Sequence, residues 1–140
     1  MKLTIQTDGG ARGNPGPAGV GVVILDEKGK VLEEHAKYLG VTTNNQAEYQ
    51  AVIFGLKRAL ELGATSVNVV TDSLLLVSQA NGDYKVKNPE LGRRFLEMKN
   101  LETLLGNRVH YRHVRREQNT HADKLSNDAM DEGMGKKRHT

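Results

Sequence analysis

The chain of 140 residues contains no cysteine and no tryptophan. Without cysteine it has no disulfides, no thiolate zinc sites and no cysteine nucleophiles. No apolar run is long enough to cross a membrane, and the opening MKLTIQTDGG lacks the apolar core of a signal peptide. These absences predict a cytoplasmic protein that does not enter a membrane, and the length fits a single domain with its own core.

The chain does carry a mild excess of positive charge. Twenty lysines and arginines stand against 17 acidic residues, so the formal net charge is +3 at neutral pH. This balance suits a polyanionic partner such as a nucleic acid, although many mildly basic proteins bind none. Charge therefore permits nucleic-acid binding without demonstrating it.

Strand patterns dominate the first third of the chain. KLTIQTD alternates as a strand, and AGVGVVILDEKGKVLEEHAKYL contains two strands joined by a turn at 27–29. A helical pattern then begins at Asn44 and ends at Gly63. Valine-rich SVNVVTD follows as a further strand.

The second half continues the alternation. SLLLVSQA is a short helical pattern, Pro89 opens a longer helix, RVHYRHV alternates as a strand, and NTHADKLSNDAM closes as a helix. This order predicts an α/β fold with a mixed sheet and helices on its faces. The final residues lack periodicity, so we predict a domain over 1–131 and a disordered basic tail over 132–140.

Two acidic residues end predicted strands. Asp8 ends the first strand and Asp72 ends the valine-rich one. Ligands gather beyond the carboxyl ends of parallel strands, so the coincidence is a first sign of a site. Each acid also has an ordinary local explanation, because Asp8 suits a turn and Asp72 suits a helix N-cap or its neighbour.

Two further acids lie on predicted helices. Glu48 shares its helical stripe with Ala51, so it leans toward the sheet, where a carboxylate needs a partner or a cation. A salt bridge is an equally good explanation of Glu48. Asp123 lies beside inward-facing Ala122, and an ordinary acid in the first turn of a helix would explain it too. These local explanations do not account for the joint arrangement.

Four segments carry the most specific signal: TDGGARGNPGPAG, TTNNQAEYQAVIFGL, TDSLLLV and HVRREQNTHADKLSNDA. In order and spacing they resemble the motif regions of ribonuclease H, type 1, from about Lys2 to Met130. The resemblance implies the ribonuclease H-like fold, a five-stranded mixed sheet with helices on both faces. It also implies an endonuclease that hydrolyses the RNA strand of RNA–DNA hybrids with Mg²⁺, or with Mn²⁺ as a substitute.

The same resemblance assigns the catalytic and metal-binding roles to Asp8, Glu48, Asp72 and Asp123. It implies two ions, with Asp8 bridging both, Asp72 and Glu48 supporting one, and Asp123 helping to hold the other. The residue types agree, because hard divalent cations take oxygen ligands. Two ions about 4 Å apart can activate the attacking water and stabilise the leaving oxygen.

The resemblance also implies a set of substrate contacts. Glycines beside Asp8 would let a sugar-phosphate backbone approach closely, and asparagines would contact the minor groove or the 2′-hydroxyl. The residues concerned are Gly9, Gly10, Asn14, Thr43, Asn44 and Asn45, with Thr43 expected at a phosphate. Plainer alternatives are a glycine-rich hairpin loop and a helix cap formed by Thr43 or Asn44.

Two departures from the family's pattern affect the expected specificity. The stretch ANGDYKVKNPELGRR is short and lacks the tryptophan-bearing basic protrusion of many members, so we expect weaker hybrid binding. Before Asp123 the chain has VRREQN, where members often have a histidine. Arg115 or Arg116 is expected to contact phosphate there, but arginine cannot shuttle a proton. His121 is expected to face elsewhere on its helix.

Three functions remain open from the sequence alone. A monomeric RNA–DNA hybrid endonuclease explains all four acids. A ribonuclease of relaxed specificity, which also cuts double-stranded RNA, would fit the missing protrusion. A non-catalytic hybrid-binding module is the third function, and it leaves four phosphate-repelling acids unexplained.

Overall fold

The structure, a computed structural model, describes residues 1–135. Its strands are β1 (Lys2–Ala11), β2 (Gly16–Leu25), β3 (Val31–Thr42), β4 (Ser66–Thr71) and β5 (Val109–His113). Its α-helices are α1 (Asn44–Glu61), α2 (Leu74–Ala80), α3 (Pro89–Leu104) and α4 (Thr120–Gly133), and a 3₁₀ turn spans Arg116–Gln118. None of the helices in this part of the chain is both long and apolar enough to cross a membrane.

The strands form one mixed sheet in the order β3-β2-β1-β4-β5. β1, at its centre, pairs antiparallel with β2 and parallel with β4, and β4 pairs parallel with β5. The short turn between β2 and β3 allows antiparallel pairing, whereas a helix must carry the chain back for each parallel pair. The predicted five-stranded mixed sheet is therefore confirmed.

Helices cover both faces of the sheet, as expected. On one face α1 buries apolar side chains of the strands, and Ile5 contacts the position of Gly55 on this helix. On the other face α4 lies across β2, and its backbone meets the position of Gly21. The main apolar core lies on the α1 side, where α3 adds Met98 and Leu101.

β1 is longer than the sequence pattern predicts. It does not end at Asp8 but continues through the glycines to Ala11, paired with β2 as far as Ala18. The parallel pairing with β4 does end nearby, at Thr7 and Thr71. Asp8 thus lies where β1 leaves β4 but keeps β2, and the glycine-rich loop shrinks to the turn over 12–15.

The last helix is also longer than predicted, because α4 runs to Gly133 and so includes part of the predicted tail. A Cβ on Gly133 would overlap the ring of Tyr38 on β3, so the absent side chain lets the end of α4 dock on the sheet. Met134 and Gly135 form a turn after α4, and the last part of the predicted tail, 136–140, lies outside the described residues.

An ion pair between β3 and α1 gives the fold a pH-dependent contribution. Arg58 donates from Nε to Glu33 Oε1 at 2.9 Å and from a second nitrogen to Oε2 at 2.5 Å. The hydrogen bond from Arg58, and then that from His35, lowers the pKa of Glu33 from 4.5 to about 2. Because the folded pKa is the lower one, this stability is present above pH 4.5 and is lost as the pH falls toward 2.

Glu33→Gln should therefore lower the free energy of unfolding by about 1 kcal/mol at pH 7, and by almost nothing near pH 2. Urea unfolding at the two pH values measures the difference. Glu61→Gln is the matched control, because Glu61 pairs with the same arginine but is 63% exposed. An equal loss in both variants, or a loss of Glu33→Gln that persists at pH 2, would contradict the assignment.

Candidate active site

Gly9 brings the start of α1 onto β1. A Cβ on Gly9 would overlap the carbonyl oxygen of Ala47 and lie 2.6 Å from the backbone nitrogen of Glu48. Any side chain there would push the helix away, so this close packing sets Glu48 beside β1. The sequence suggested instead that nucleic acid requires the missing side chain of Gly9. Gly10 fits that expectation better, since the nearest atoms to its Cβ position are 3.9 and 4.0 Å away.

Two glycines of β2 likewise allow α4 to pack closely on the opposite face of the sheet. A Cβ on Gly21 would overlap the carbonyl oxygen of Ala122 and lie 2.7 Å from the backbone nitrogen of Ser126. A Cβ on Gly19 would lie 2.8 Å from the carbonyl oxygen of Ser126. Since Gly21 pairs directly with Asp8, this contact brings α4, with Asp123, against the same point of β1.

The two helices and the ends of β1 and β4 enclose a cleft of about 500 Å³. All four carboxylates predicted from the sequence line it: Asp8, Glu48, Asp72 and Asp123. It also contains five of the predicted substrate contacts, which are Gly9, Gly10, Asn44, Asn45 and Arg116. Residues from four separate parts of the chain thus converge at one edge of the sheet.

Burial makes the carboxylates difficult to ionise. It raises the pKa of Glu48 to about 7, with the charges of Asp72 and Asp8 adding to the rise and a hydrogen bond from Ser73 opposing it. It also raises the pKa of Asp8 to about 6, against a hydrogen bond from Ser126 and with the charges of Asp72 and Asp123. The pKa of Asp72 is raised as well, first by burial. Such shifts mark a cluster that would gain from a bound cation.

Arg116 supplies positive charge at the mouth of the cleft. One of its terminal nitrogens lies 3.5 Å from Asp123 Oδ1, and its side chain is 76% exposed. Its charge lowers the pKa of both Asp72 and Asp8, against the rise from burial. A guanidinium so exposed is free to reach a phosphate. Arg116 thus lines the cleft, and its contact with a phosphate stays a prediction. His121 pairs with Glu34 at 2.9 Å.

The structure supports the local structural explanation for some of the four acids and not for others. Within residues 1–135 no basic side chain pairs with Glu48, so the salt-bridge explanation has no support there. Ser73 caps α2 through a 3.2 Å bond from the backbone nitrogen of Leu76, so Asp72 is the neighbour of the N-cap, which was one of its two local explanations. Asp8 lies in a strand rather than a turn. Asp123 does lie in the first turn of α4, as the plainer explanation expected.

The predicted asparagines organise the junction between the turn after β1 and α1. Asn44 Oδ1 accepts a hydrogen bond of 2.7 Å from the backbone of Ala11, and Asn14 Oδ1 accepts one of 3.1 Å from the backbone of Asn44. Thr43 caps α1 by accepting from the backbone of Gln46 at 3.2 Å, which confirms its predicted capping role. Using the oxygens in this way leaves the Nδ2 groups of Asn14 and Asn44 as donors for a ligand.

Ser126 lines the cleft and contacts Asp8, and the sequence patterns did not single it out. Its hydroxyl donates to Asp8 Oδ2 at 2.5 Å from a fully buried position. The sequence held one signal, since Ser126 stands four residues after Ala122 and three before Ala129 on the apolar stripe of α4. A polar residue on such a stripe needs a partner, but only the packing of α4 on β1 identifies that partner.

Comparison with known proteins points to one family. A family model described as reverse transcriptase-like matches residues 6–129. A bifunctional protein of Mycobacterium tuberculosis is 46% identical over 132 residues, which cover 94% of this chain and 36% of the relative. The chain therefore spans about a third of the length of that relative.

Two further relatives match over nearly their whole length. Ribonuclease H of Lachnoclostridium phytofermentans is 33% identical over 154 residues, covering 95% of this chain and 94% of that protein. LC11-RNase H1, isolated from compost by a metagenomic approach, has been solved in complex with an RNA/DNA hybrid. That structure has a TM-score of 0.90 and 45% identity, and the match covers 94% of this chain and 99% of that one.

Proposed function

Because this chain belongs to the ribonuclease H family, we propose that it is a metal-dependent endonuclease that hydrolyses the RNA strand of RNA–DNA hybrids. One observation carries the proposal. Four carboxylates, among them buried Asp8 and half-buried Glu48, line a single cleft at the edge of the sheet. A buried carboxylate is costly unless a cation or a proton compensates its charge, so a cleft that gathers four carboxylates is suited to a bound cation.

The donor set fits a divalent cation. The cleft offers carboxylate oxygens, which Mg²⁺ and Mn²⁺ prefer, and it contains no thiolate ligand because the chain has no cysteine. As they stand, no three acidic or histidine side chains of residues 1–135 form a ready-made metal site. Like charges within the cleft raise the pKa of Asp8 and of Glu48, and a bound cation would offset that repulsion.

We assign the binding of two ions to Asp8, Glu48, Asp72 and Asp123, with Asp8 between the other ligands. When bound, the ions supply a nucleophilic water and stabilise the leaving oxygen of an in-line displacement. The chain's own residues do the rest: the backbone around Gly10 admits the sugar-phosphate chain, and Arg116 binds a phosphate. One copy of the chain supplies all of these side chains, which supports a monomeric enzyme.

Recognition of the RNA strand follows from the amide groups of the turn and of α1. The Nδ2 donors of Asn14 and Asn44 are suited to a 2′-hydroxyl, which only RNA presents. Exposed Asn45 lies in the same cleft and extends this donor surface. Duplex DNA offers no such group and should not be cut.

A second candidate, relaxed specificity toward double-stranded RNA, rests on one specific feature. The connection between α2 and α3 spans only residues 81–88 and contains no tryptophan. Lys85 and Lys87 provide its positive charge, so the grip on the opposite strand depends on few groups. Within the first proposal we expect the hybrid to be preferred nevertheless, with slow cleavage of duplex RNA in Mn²⁺.

The test compares hybrid, duplex RNA and duplex DNA of one sequence at one salt concentration, each with Mg²⁺, with Mn²⁺ and with EDTA. We expect the hybrid to be cut fastest, and duplex RNA to be cut at least about tenfold more slowly, because a ribose on the opposite strand must be accommodated. Initial rates measure the ranking. Equal rates on hybrid and duplex RNA would favour the second candidate, and cleavage of duplex DNA would refute the role of the 2′-hydroxyl.

A further inference from the structure

Ser126 occupies a position that the proposed activity does not by itself require. It is 1% exposed, on the face of α4 that packs against the sheet. Its Oγ lies 2.5 Å from Asp8 Oδ2 and 2.9 Å from the backbone oxygen of Asp123. A serine hydroxyl has one hydrogen, and an ionised carboxylate is the stronger acceptor, so the hydrogen goes to Asp8.

The fold places this hydroxyl within narrow limits. Backbone atoms of Ser126 lie where side chains on Gly19 and Gly21 would be, so α4 cannot rise or slide without losing contact with β2. Asn119, at the start of the same helix, donates from Nδ2 to the carbonyl oxygen of Thr7 at 2.9 Å. Two hydrogen bonds from one helix thus hold the residue pair Thr7–Asp8 from the same side.

From this geometry we propose that Ser126 is a positioning residue for the metal site. Its hydroxyl fixes Oδ2 of Asp8 and so limits rotation of the carboxylate, which would hold the carboxylate in one orientation for a divalent cation. The inference rests on the proposed function of the cleft, since it assigns Asp8 to a metal ion. The positioning acts through Asp8, and Ser126 itself need not touch ion or substrate.

The physical reason is the cost of ordering a buried ligand. A carboxylate held by a hydroxyl has already lost its rotational freedom and already has one oxygen satisfied. Removing a partner that orients a metal ligand typically weakens metal binding at least about tenfold. Ser126→Ala removes the hydroxyl and little volume, while Ser126→Cys keeps the volume with a weaker donor.

The experiment measures Mg²⁺ binding to the full chain without nucleic acid, by isothermal titration calorimetry, and Mn²⁺ binding by electron paramagnetic resonance. We expect the Kd for each ion to rise about tenfold in Ser126→Ala and less in Ser126→Cys. Cleavage of hybrid should recover toward the original kcat as the metal concentration is raised. Thr103→Ala is the matched control, because its hydroxyl bonds back to a carbonyl oxygen of its own helix, at 3.2 Å, outside the cleft.

Thermal unfolding in EDTA separates positioning from a merely structural role. The inference would be overturned if Ser126→Ala or Ser126→Cys lost thermal stability while its Kd stayed unchanged. A Kd that falls would overturn it too. If Ser126→Ala does not fold, an unchanged Kd in Ser126→Cys has the same meaning. In each of these outcomes the unaltered chain still cleaves hybrid and the proposed function stands. A chain that neither binds Mg²⁺ nor cleaves hybrid would remove both.

Discussion

Replacing Asp8 by asparagine is expected to reduce hybrid cleavage on the order of 1,000-fold while leaving the fold intact. Asp8 is 9% exposed, and burial raises its pKa to about 6, so the neutral amide fits the site with less electrostatic cost than the ionised acid. The amide is nevertheless a poorer ligand for a hard cation than a carboxylate. Hybrid affinity in EDTA should stay the same or improve, because one charge that repels phosphate is gone.

Single-turnover cleavage and binding of a labelled hybrid measure the two effects separately. Asp83→Asn is the matched control, since Asp83 is an exposed acid in the connection between α2 and α3, and we expect its activity to remain within twofold, about the size of a surface effect. Turnover near that of the unaltered chain in Asp8→Asn would contradict the central role of this carboxylate. Loss of hybrid binding would show instead that the change disrupts the fold.

Gly21→Ala is expected to lower the free energy of unfolding by about 3 kcal/mol and to reduce cleavage about 100-fold. The added methyl group would overlap the carbonyl oxygen of Ala122, a backbone atom that can move only if α4 moves. A shifted α4 carries Asp123 and Ser126 away from Asp8. Chemistry that depends on their alignment should therefore suffer even where the variant remains folded.

Gly92→Ala gives the contrasting result. Gly92 lies within α3, and a Cβ there meets nothing within 4 Å, so alanine should stabilise the helix by roughly 0.5–1 kcal/mol and leave cleavage unchanged. Urea unfolding and cleavage rates of both variants form the measurement. Equal stability of Gly21→Ala and the unaltered chain would mean that α4 tolerates displacement, which the close packing argues against.

Local patterns in the sequence predicted the elements of the fold well, because their signals are short-range. Alternation of apolar residues located the strands, and Pro89 marked the start of α3. The end of β1 was wrong because the glycines after Asp8 look like a loop. They stay in a strand since β2 supplies pairing partners up to Ala18, a contact that the local pattern does not contain.

The four acids of the site were predicted through the resemblance, whereas their surroundings were not. Asp8 and Ser126 are 118 positions apart, and no spacing rule connects a strand to a helix that distant. The role of Gly9 was not predicted either. Its glycine-rich neighbourhood suggested contact with a ligand, whereas in the structure the missing side chain makes room for the backbone of α1. Interactions of this kind depend on which surfaces meet, so they become visible only when the elements are packed together.

The dependence of the cleft on α4 has a consequence for the order of folding. β1, β2 and β3 are joined by short connections, so their pairing closes only small loops. The bonds from Asn119 to Thr7 and from Ser126 to Asp8 span 112 and 118 positions, which makes them among the costliest contacts to close. A chain that has formed the sheet and α1 therefore already contains Asp8, Glu48 and Asp72 in place. It still lacks the packed helix α4, which orients Asp8. We expect catalytic competence to be the last property of this molecule to mature.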